Sequence, residues 1–211
     1  MSVKNNNSKE IFSIAIKLLV ICSIVATIIA AVNFITKDKI AYNEKLSTAK
    51  ALTGIYHDDY GKDFTVSEDS FVITENDKVS ISCSLENMEF SSKDVKALYV
   101  LKNAAGDVEG YCVSVQPMGF KDYIKMLVAI NTDCTIKGVE IVSMSETSGI
   151  GTKAKEASFL NQFKNLNEKA VKSEVDVISG ATKTSQPVID AVSASLAEVS
   201  KYIAKNGGDV K

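Results

Sequence analysis

An apolar run near the N-terminus constrains this chain more than any other feature. Residues 18–35 read LLVICSIVATIIAAVNFI and include no charged side chain. A helix that crosses a bilayer needs roughly 20 consecutive, mostly apolar residues. Extending the run back to Ile11 reaches that length with only Lys17 interrupting it. The sequence therefore predicts a transmembrane helix over residues 11–36, preceded by a short segment, residues 1–10.

A cleaved signal peptide is the alternative interpretation of this run. Signal peptides have a shorter apolar core, followed by a small-x-small cleavage site. Here the core is long, and Ala30 with Ala31 offers only a weak site. We therefore predict an uncleaved anchor.

The charges that flank the run indicate its orientation. Those before its centre are Lys4, Lys9, Glu10 and Lys17, and those after it are Lys37, Asp38 and Lys39. Positively charged residues concentrate on the cytoplasmic side of a membrane. The balance favours a cytoplasmic N-terminus in the cell membrane and a C-terminal domain on the extracytoplasmic side.

The segment after the anchor, residues 37–93, predicts a stalk followed by a linker. A helical pattern continues through AYNEKLSTAKAL before Gly54. Residues 55–93 are polar and irregular, with short strand-like pieces such as FVIT and VSISCSL. We interpret them as a linker and the edge of an outer domain.

Four runs rich in β-branched and aromatic residues begin at Val95. They are VKALYVLKN, VEGYCVSVQP, YIKMLVAINTD and CTIKGVEIVSM, and turn-forming residues separate them. This spacing predicts consecutive antiparallel strands. Helical periodicity then predicts two helices, Ala154–Leu166 and Gln186–Ala204, with Pro187 in the first turn of the second. Strands followed by helices predict an α+β domain over residues 94–205, an antiparallel sheet packed by helices on one side, before a tail, residues 206–211.

Composition argues against several classes of function. All 24 basic side chains are lysines and the net charge is −2, which is not the pattern of a nucleic-acid-binding protein. Without arginine, an anion must be held by backbone N–H groups, hydroxyls or lysines. His57 is the single histidine, and the cysteines show no CxxC spacing: Cys22, Cys83, Cys112 and Cys134. We predict no catalytic residue and no metal site in this chain.

The first of two glycine-containing motifs, SETSGIGTKA, ends the fourth strand at residues 145–154. Gly149 and Gly151 allow unusual backbone angles and a close approach to a ligand. An ordinary strand-to-helix turn with Thr152 as the N-cap is the alternative. Local sequence alone favours that alternative.

The second motif, DVISGATKTS, covers residues 176–185 and precedes the last helix. A helix entrance with free N–H donors, a glycine and several hydroxyls attracts phosphate. A Ser/Thr-rich N-cap is the alternative, and taken alone it is the stronger one.

The order of these motifs resembles a known family. DVISGAT matches the pattern Asp-x-x-Ser/Thr-Gly-Ala-Thr, which marks domains that a flavin transferase loads with FMN. ETSGIG is similar to the ETPGLG element of the same domains. With one N-terminal span, the chain resembles the G subunit of the Rnf complex, an ion-pumping ferredoxin–NAD oxidoreductase. The C subunit of the sodium-pumping NADH–quinone oxidoreductase is related to it. The resemblance covers roughly residues 94–204 and the anchor.

The resemblance implies a set of cofactor-binding residues. Thr182 would accept FMN as a phosphoester, made by a flavin transferase from FAD. The residues implied around that ester are Asp176, Ser179, Gly180, Ala181, Lys183 and Thr184. Those implied near the isoalloxazine ring are Glu146, Thr147, Gly149 and Gly151. The chain departs from the family pattern at Met144, where the family often has histidine, and at Ser148, where it has proline.

The implied function is an electron relay through covalent FMN within the Rnf complex. Its partners would be the other membrane and iron–sulfur subunits, with the flavin transferase needed for maturation. Two alternatives stay open. One is a stand-alone, membrane-anchored extracytoplasmic flavoprotein. The other is an anchored sensor or assembly domain without flavin.

Overall fold

The computed structural model describes residues 4–60, 63–66, 70–75, 78–86, 88–103 and 105–206. The chain forms two compact units, Met1–Lys45 and Leu46–Lys211. Helix α1, Lys4–Tyr60, begins in the first unit and ends in the second.

The first unit contains the predicted anchor. Residues Glu10–Lys37 form 28 helical residues; the most apolar 18 of them in a row have a mean hydropathy of 2.7, and none of those is buried. Polar side chains within this stretch bond back to the helix, since the hydroxyls of Thr27 and Thr36 donate to the carbonyls of Ser23 and Val32 at 2.8 Å. Inside a lipid bilayer no water is available to these hydroxyls, so hydrogen bonds within the helix satisfy them. The prediction of one apolar N-terminal helix long enough to cross a membrane is confirmed.

An antiparallel sheet of seven strands forms the centre of the second unit, with neighbouring strands consecutive in sequence. The strands are β1 (Asp63–Val66), β2 (Ser70–Glu75), β3 (Lys78–Glu86), β4 (Val95–Asn103), β5 (Val108–Val115), β6 (Lys125–Asn131) and β7 (Ile136–Ser143). The four predicted strands are confirmed as β4 to β7. The strand-like pieces FVIT and VSISCSL fall in β2 and β3, which extend the sheet into the predicted linker.

Helices follow the last strand. A 3₁₀ turn, Gly151–Lys155, leads to α2 (Ala157–Leu160) and a second 3₁₀ turn, Asn161–Phe163. Helix α3 (Glu168–Glu174) and helix α4 (Thr182–Lys205) complete the unit. The α+β prediction is confirmed.

The helices differ from the prediction in three details. The segment Ala154–Leu166 is not one helix, because it consists of the end of the first 3₁₀ turn, α2 and the second 3₁₀ turn. Helix α3 was not predicted, although the Asn167 side chain caps it by accepting from the Ala170 N–H at 3.0 Å.

Helix α4 begins four residues before the predicted start at Gln186. Pro187 consequently lies past the first turn, where it cannot donate to the Lys183 carbonyl.

Both faces of the sheet are covered, whereas the sequence predicted helices on one side only. The larger core includes Val113, Val128 and Phe163 and packs against α4. The opposite face buries Leu101 and Leu127 against Ala51 and Leu52 of α1. The continuous apolar stretch MLVAI in β6, buried at every position, is typical of a strand covered on both faces.

Candidate functional site

The N-terminus of α4 follows a tight turn formed by residues 178–181. The Ala181 N–H donates to the Ile178 carbonyl at 2.9 Å, and Gly180 has a φ of 78°. This combination is that of a type II turn, which requires a residue tolerant of positive φ at its third position. The buried Ser185 hydroxyl accepts from the Ile178 N–H and donates to the Ala181 carbonyl, both at 3.1 Å. These bonds fix the turn to the helix that follows it.

A second turn of the same kind lies at residues 147–150. The Ile150 N–H donates to the Thr147 carbonyl at 3.2 Å, and Gly149 has a φ of 73°. Thr152 is not the N-cap of the following 3₁₀ turn, because Ile150 holds that position without a capping side chain. The Thr152 hydroxyl instead accepts from the Gly149 N–H at 2.9 Å, within the turn itself. The N-cap interpretation of this motif is therefore wrong.

Glu146 connects the second turn to two other segments. Its side chain is buried, and Oε2 accepts the Thr184 hydroxyl at 2.9 Å. Oε1 accepts the Lys121 backbone N–H at 3.0 Å. A Cβ at Gly119 would overlap Oε1, and one at Gly151 would lie 2.8 Å from Oε2. The carboxylate thus occupies space that two glycines leave open.

These segments enclose a cavity of about 440 Å³, within the size range of small-molecule sites. Its lining is Phe120, Glu146, Thr147, Ile150, Gly151, Gly180, Ala181, Thr182, Lys183 and Thr184. An open cavity of about 510 Å³ adjoins it and shares Phe120, Thr182 and Lys183. We call the 440 Å³ space the turn cavity.

The hydroxyls around α4 differ in availability. The Thr184 and Ser185 side chains are 2% and 0% exposed, and their hydroxyls bond within the protein. Thr182 is exposed and lines the turn cavity. Of the hydroxyl groups in the first turn of α4, that of Thr182 is the one open to solvent.

Donors for an anion lie beside that hydroxyl. The N-cap residue, Ala181, supplies no side-chain cap, so the Ser/Thr-rich N-cap expected as an alternative is wrong. In the part of the chain that the structure describes, the N–H groups of Thr182 and Lys183 have no acceptor. The Lys183 ammonium lies 5.7 Å from the centre of the Phe120 ring. Free N–H groups at a helix N-terminus and a nearby lysine suit a phosphate.

Eight of the eleven residues predicted for the site line the turn cavity, and three do not. Ser179 and Gly149 belong to the two turns without lining the cavity. Asp176 is exposed, and its N–H donates to Gln162 Oε1 at 2.9 Å. The cofactor roles of all eleven stay predictions.

Sequence reasoning missed three participants, namely Phe120, Ile150 and Ser185. Phe120 and Ile150 line the turn cavity, and Ser185 fixes the turn before α4. The available signal for Phe120 was an aromatic residue directly after Gly119, between two predicted strands. The available signal for Ser185 was its position, three and four residues before the buried Val188 and Ile189 on the same face of α4.

Residues 119–197 match the model of the FMN-binding domain, and residues 1–55 match that of the RnfG N-terminal region. This chain is similar in sequence to the G subunits of Rnf complexes. The first match contains the turn cavity and all of α4 that borders it, and the second contains the anchor helix. The predicted resemblance is confirmed.

Named relatives agree with this assignment. The G subunit of the ion-translocating oxidoreductase complex of Methanosarcina acetivorans is 36% identical over 46% of this chain and 55% of its own length. The chain thus spans about half of that protein. The G subunit of the proton-translocating ferredoxin:NAD(+) oxidoreductase complex of Clostridium ljungdahlii is 25% identical over 94% of this chain and 97% of its own length.

Two solved structures are similar in part. Shewanella oneidensis NqrC has a TM-score of 0.40 and 23% identity over 53% of this chain and 61% of its own. The C subunit of the Na(+)-translocating NADH-quinone reductase from Parabacteroides distasonis has a TM-score of 0.42 and 20% identity over 64% of this chain and 77% of its own. At these TM-scores the likeness carries no argument about the site.

Proposed function

We propose that this chain is the electron-transfer subunit of a membrane-bound, ion-translocating ferredoxin:NAD oxidoreductase of the Rnf type, and that it carries FMN on Thr182. One observation carries the proposal most directly. The exposed Thr182 hydroxyl lies at the mouth of an anion-binding helix N-terminus, on the wall of a cavity inside an FMN-binding domain. The relatives that are G subunits supply the context of the complex.

The residues of the turn cavity fit FMN. Phe120 and Ile150 offer apolar surface to a flat ring system, while the N–H groups of Thr182 and Lys183 offer donors to its phosphate. The Lys183 ammonium adds positive charge without arginine. Bound there, FMN supplies reversible electron uptake and release, and the protein supplies its position and electrostatic environment.

The availability of the hydroxyls supports covalent attachment at Thr182. The Thr182 oxygen would attack the FMN phosphorus of FAD within the flavin transferase. A bond forms between Oγ1 and that phosphorus, and the pyrophosphate P–O bond breaks. AMP leaves, and the hydroxyl proton passes to solvent or to a base of the transferase. Thr184 and Ser185 are poor alternatives, because both hydroxyls are buried and hydrogen-bonded.

The chain's own role is to hold the cofactor rather than to turn over a substrate. Its turns and Glu146 fix the shape of the turn cavity, and its anchor keeps that cavity at the membrane. Electrons must then arrive from one subunit of the complex and leave to another. The flanking lysines favour a location of the cavity on the extracytoplasmic side.

In the test, variants replace the wild-type chain in membranes that carry out ferredoxin-driven NAD reduction. Thr182→Ala should leave the complex assembled but abolish NAD reduction. Thr132→Ala, which removes an exposed threonine from the β6–β7 hairpin, should leave the rate unchanged and serves as the matched control. Full activity in membranes that contain only the Thr182→Ala protein would exclude this flavin from the electron path.

A further inference from the structure

Two glutamates are buried in the described part of the second unit, and their surroundings differ. Glu146 is 8% exposed and Glu198 is 2% exposed. Glu198 Oε1 accepts from the N–H groups of Ser91 and Ser92 and lies 3.3 Å from the Lys201 ammonium. Among the described residues, Glu146 has no such lysine, and its partners are the neutral Lys121 N–H and Thr184 hydroxyl. The chain thus compensates one buried glutamate with a cation and not the other.

Both oxygens of the Glu146 carboxylate are hydrogen-bonded. Each oxygen accepts one hydrogen bond, and neither needs a proton of its own to satisfy its partner. Carboxylates accept stronger hydrogen bonds than neutral groups do. A carboxylate therefore lies in the wall of the turn cavity, held by two neutral donors.

The packing around the Glu146 carboxylate depends on two glycines. Gly119 and Gly151 leave room for its carboxylate, since a Cβ at either position would collide with it. The bonds to Lys121 and Thr184 then join the 119–121 loop to the first turn of α4, on either side of the cavity. A neutral residue of the same shape would hold these segments nearly as well, so the charge itself calls for an explanation.

We propose that the charge of Glu146 lowers the reduction potential of FMN in the turn cavity. This inference rests on the proposed function, in which FMN occupies that cavity. Adding electrons beside a fixed negative charge costs Coulomb energy, and the cost grows where water is excluded. The Glu146 carboxylate would therefore make the flavin harder to reduce and a stronger electron donor once reduced.

The test uses the full-length chain, co-expressed with a flavin transferase and purified in detergent. Covalent flavin is first measured by fluorescence in a denaturing gel and by intact mass. The midpoint potential is then measured by spectroelectrochemical titration, in which the electrode supplies the electrons. The variants are Glu146→Gln, Thr184→Val and, as a matched control, Glu198→Gln. Glu198 is 14 residues beyond Thr184 on the same helix, roughly 21 Å along its axis.

Two of the three variants should shift the midpoint potential, in opposite directions, and the third should leave it unchanged. Glu146→Gln should raise it, because the shape is kept and the charge is lost. Thr184→Val should lower it, because the carboxylate loses a hydrogen bond that disperses its charge while the side chain keeps its size. Glu198→Gln should leave it unchanged, because that charge is distant and paired with Lys201. A merely structural role for Glu146 would not give shifts of opposite sign.

Each outcome decides the inference. Wild-type protein without flavin would overturn both the inference and the proposed function. Flavinylated wild type with an unchanged or lowered potential in Glu146→Gln would overturn the inference alone. If Glu146→Gln takes up no flavin, Thr184→Val decides, since a lowered potential supports the inference and any other value refutes it. Loss of flavin from both variants would assign Glu146 to attachment and overturn the charge-setting role.

Discussion

Replacing Gly151 with alanine tests how tightly the turn cavity is built. The new Cβ would lie 2.8 Å from both Cβ and Oε2 of Glu146 and 3.0 Å from the Thr184 hydroxyl oxygen. Carbon atoms prefer separations of about 3.5–4.0 Å, so the neighbours must move by several tenths of an ångström. Both are buried, and moving either one strains the 2.9 Å bond between them.

The change in unfolding free energy is the cost in the folded state less a stabilising effect of alanine on the unfolded chain. If the side chains stay in place, overpacking costs about 1–3 kcal/mol. If they move apart, the lost hydrogen bond to a charged group costs about 1.5–3 kcal/mol, and the protein adopts whichever arrangement costs less. Alanine recovers about 0.4–1 kcal/mol by restricting the unfolded chain. We expect a net destabilisation of roughly 1–2 kcal/mol. For a domain of this size that is a fall in Tm of about 2–8 °C.

Thermal unfolding of the flavin-free protein in detergent, followed by circular dichroism, measures this fall. Gly54→Ala is the control, because a Cβ there has no neighbour within 4 Å and the position is helical. That control should stabilise the protein by about 0.5–1 kcal/mol. If Gly151→Ala melts at or above the temperature of Gly54→Ala, the close packing of Glu146 against Gly151 is refuted.

Three further expectations follow from the structure. Burial raises the pKa of Cys83 from 9.0 to about 12, so the folded state favours the neutral thiol. The stability that this thiol contributes is complete below pH 9.0 and is lost as the pH rises towards 12, so Cys83→Val should flatten the alkaline fall in Tm. Leu52→Ala should cost about 2–5 kcal/mol in a denaturant titration, since Leu52 is 1% exposed against the second face of the sheet, and a cost below 1 kcal/mol would contradict that packing. Asn206→Cys, at an exposed position, should react with an impermeant maleimide in intact cells; protection until lysis would reverse the proposed orientation.

Local sequence patterns were enough to predict β4 to β7, the anchor helix and the α+β class. The strands are marked by runs of β-branched and aromatic residues between turn residues, and the anchor is marked by its long uncharged apolar run. The packing of α1 on the second face was not predicted, because burial of Leu52 depends on strands that are distant in sequence. The short helix α3 lacks a full repeat and was missed for that reason.

The candidate site could be predicted only in part. Both glycine turns were found because positive φ limits the residues that a turn can use. The bond between Glu146 and Thr184 joins residues 38 apart in sequence, and no local signal encodes it. The distinction among hydroxyls was likewise not predicted, since burial of Thr184 and Ser185 and exposure of Thr182 arise only once α4 packs on the sheet.

The intact mass of the purified chain, with tandem mass spectrometry of its peptides, tests the central claim most directly. Protein made with a flavin transferase should be heavier than the sequence by the mass of FMN less one water. The added mass should lie on the peptide that contains DVISGAT and be assigned to Thr182, and Thr182→Ala should show the unmodified mass. An unmodified wild-type mass, or FMN retained by Thr182→Ala protein, would contradict the account.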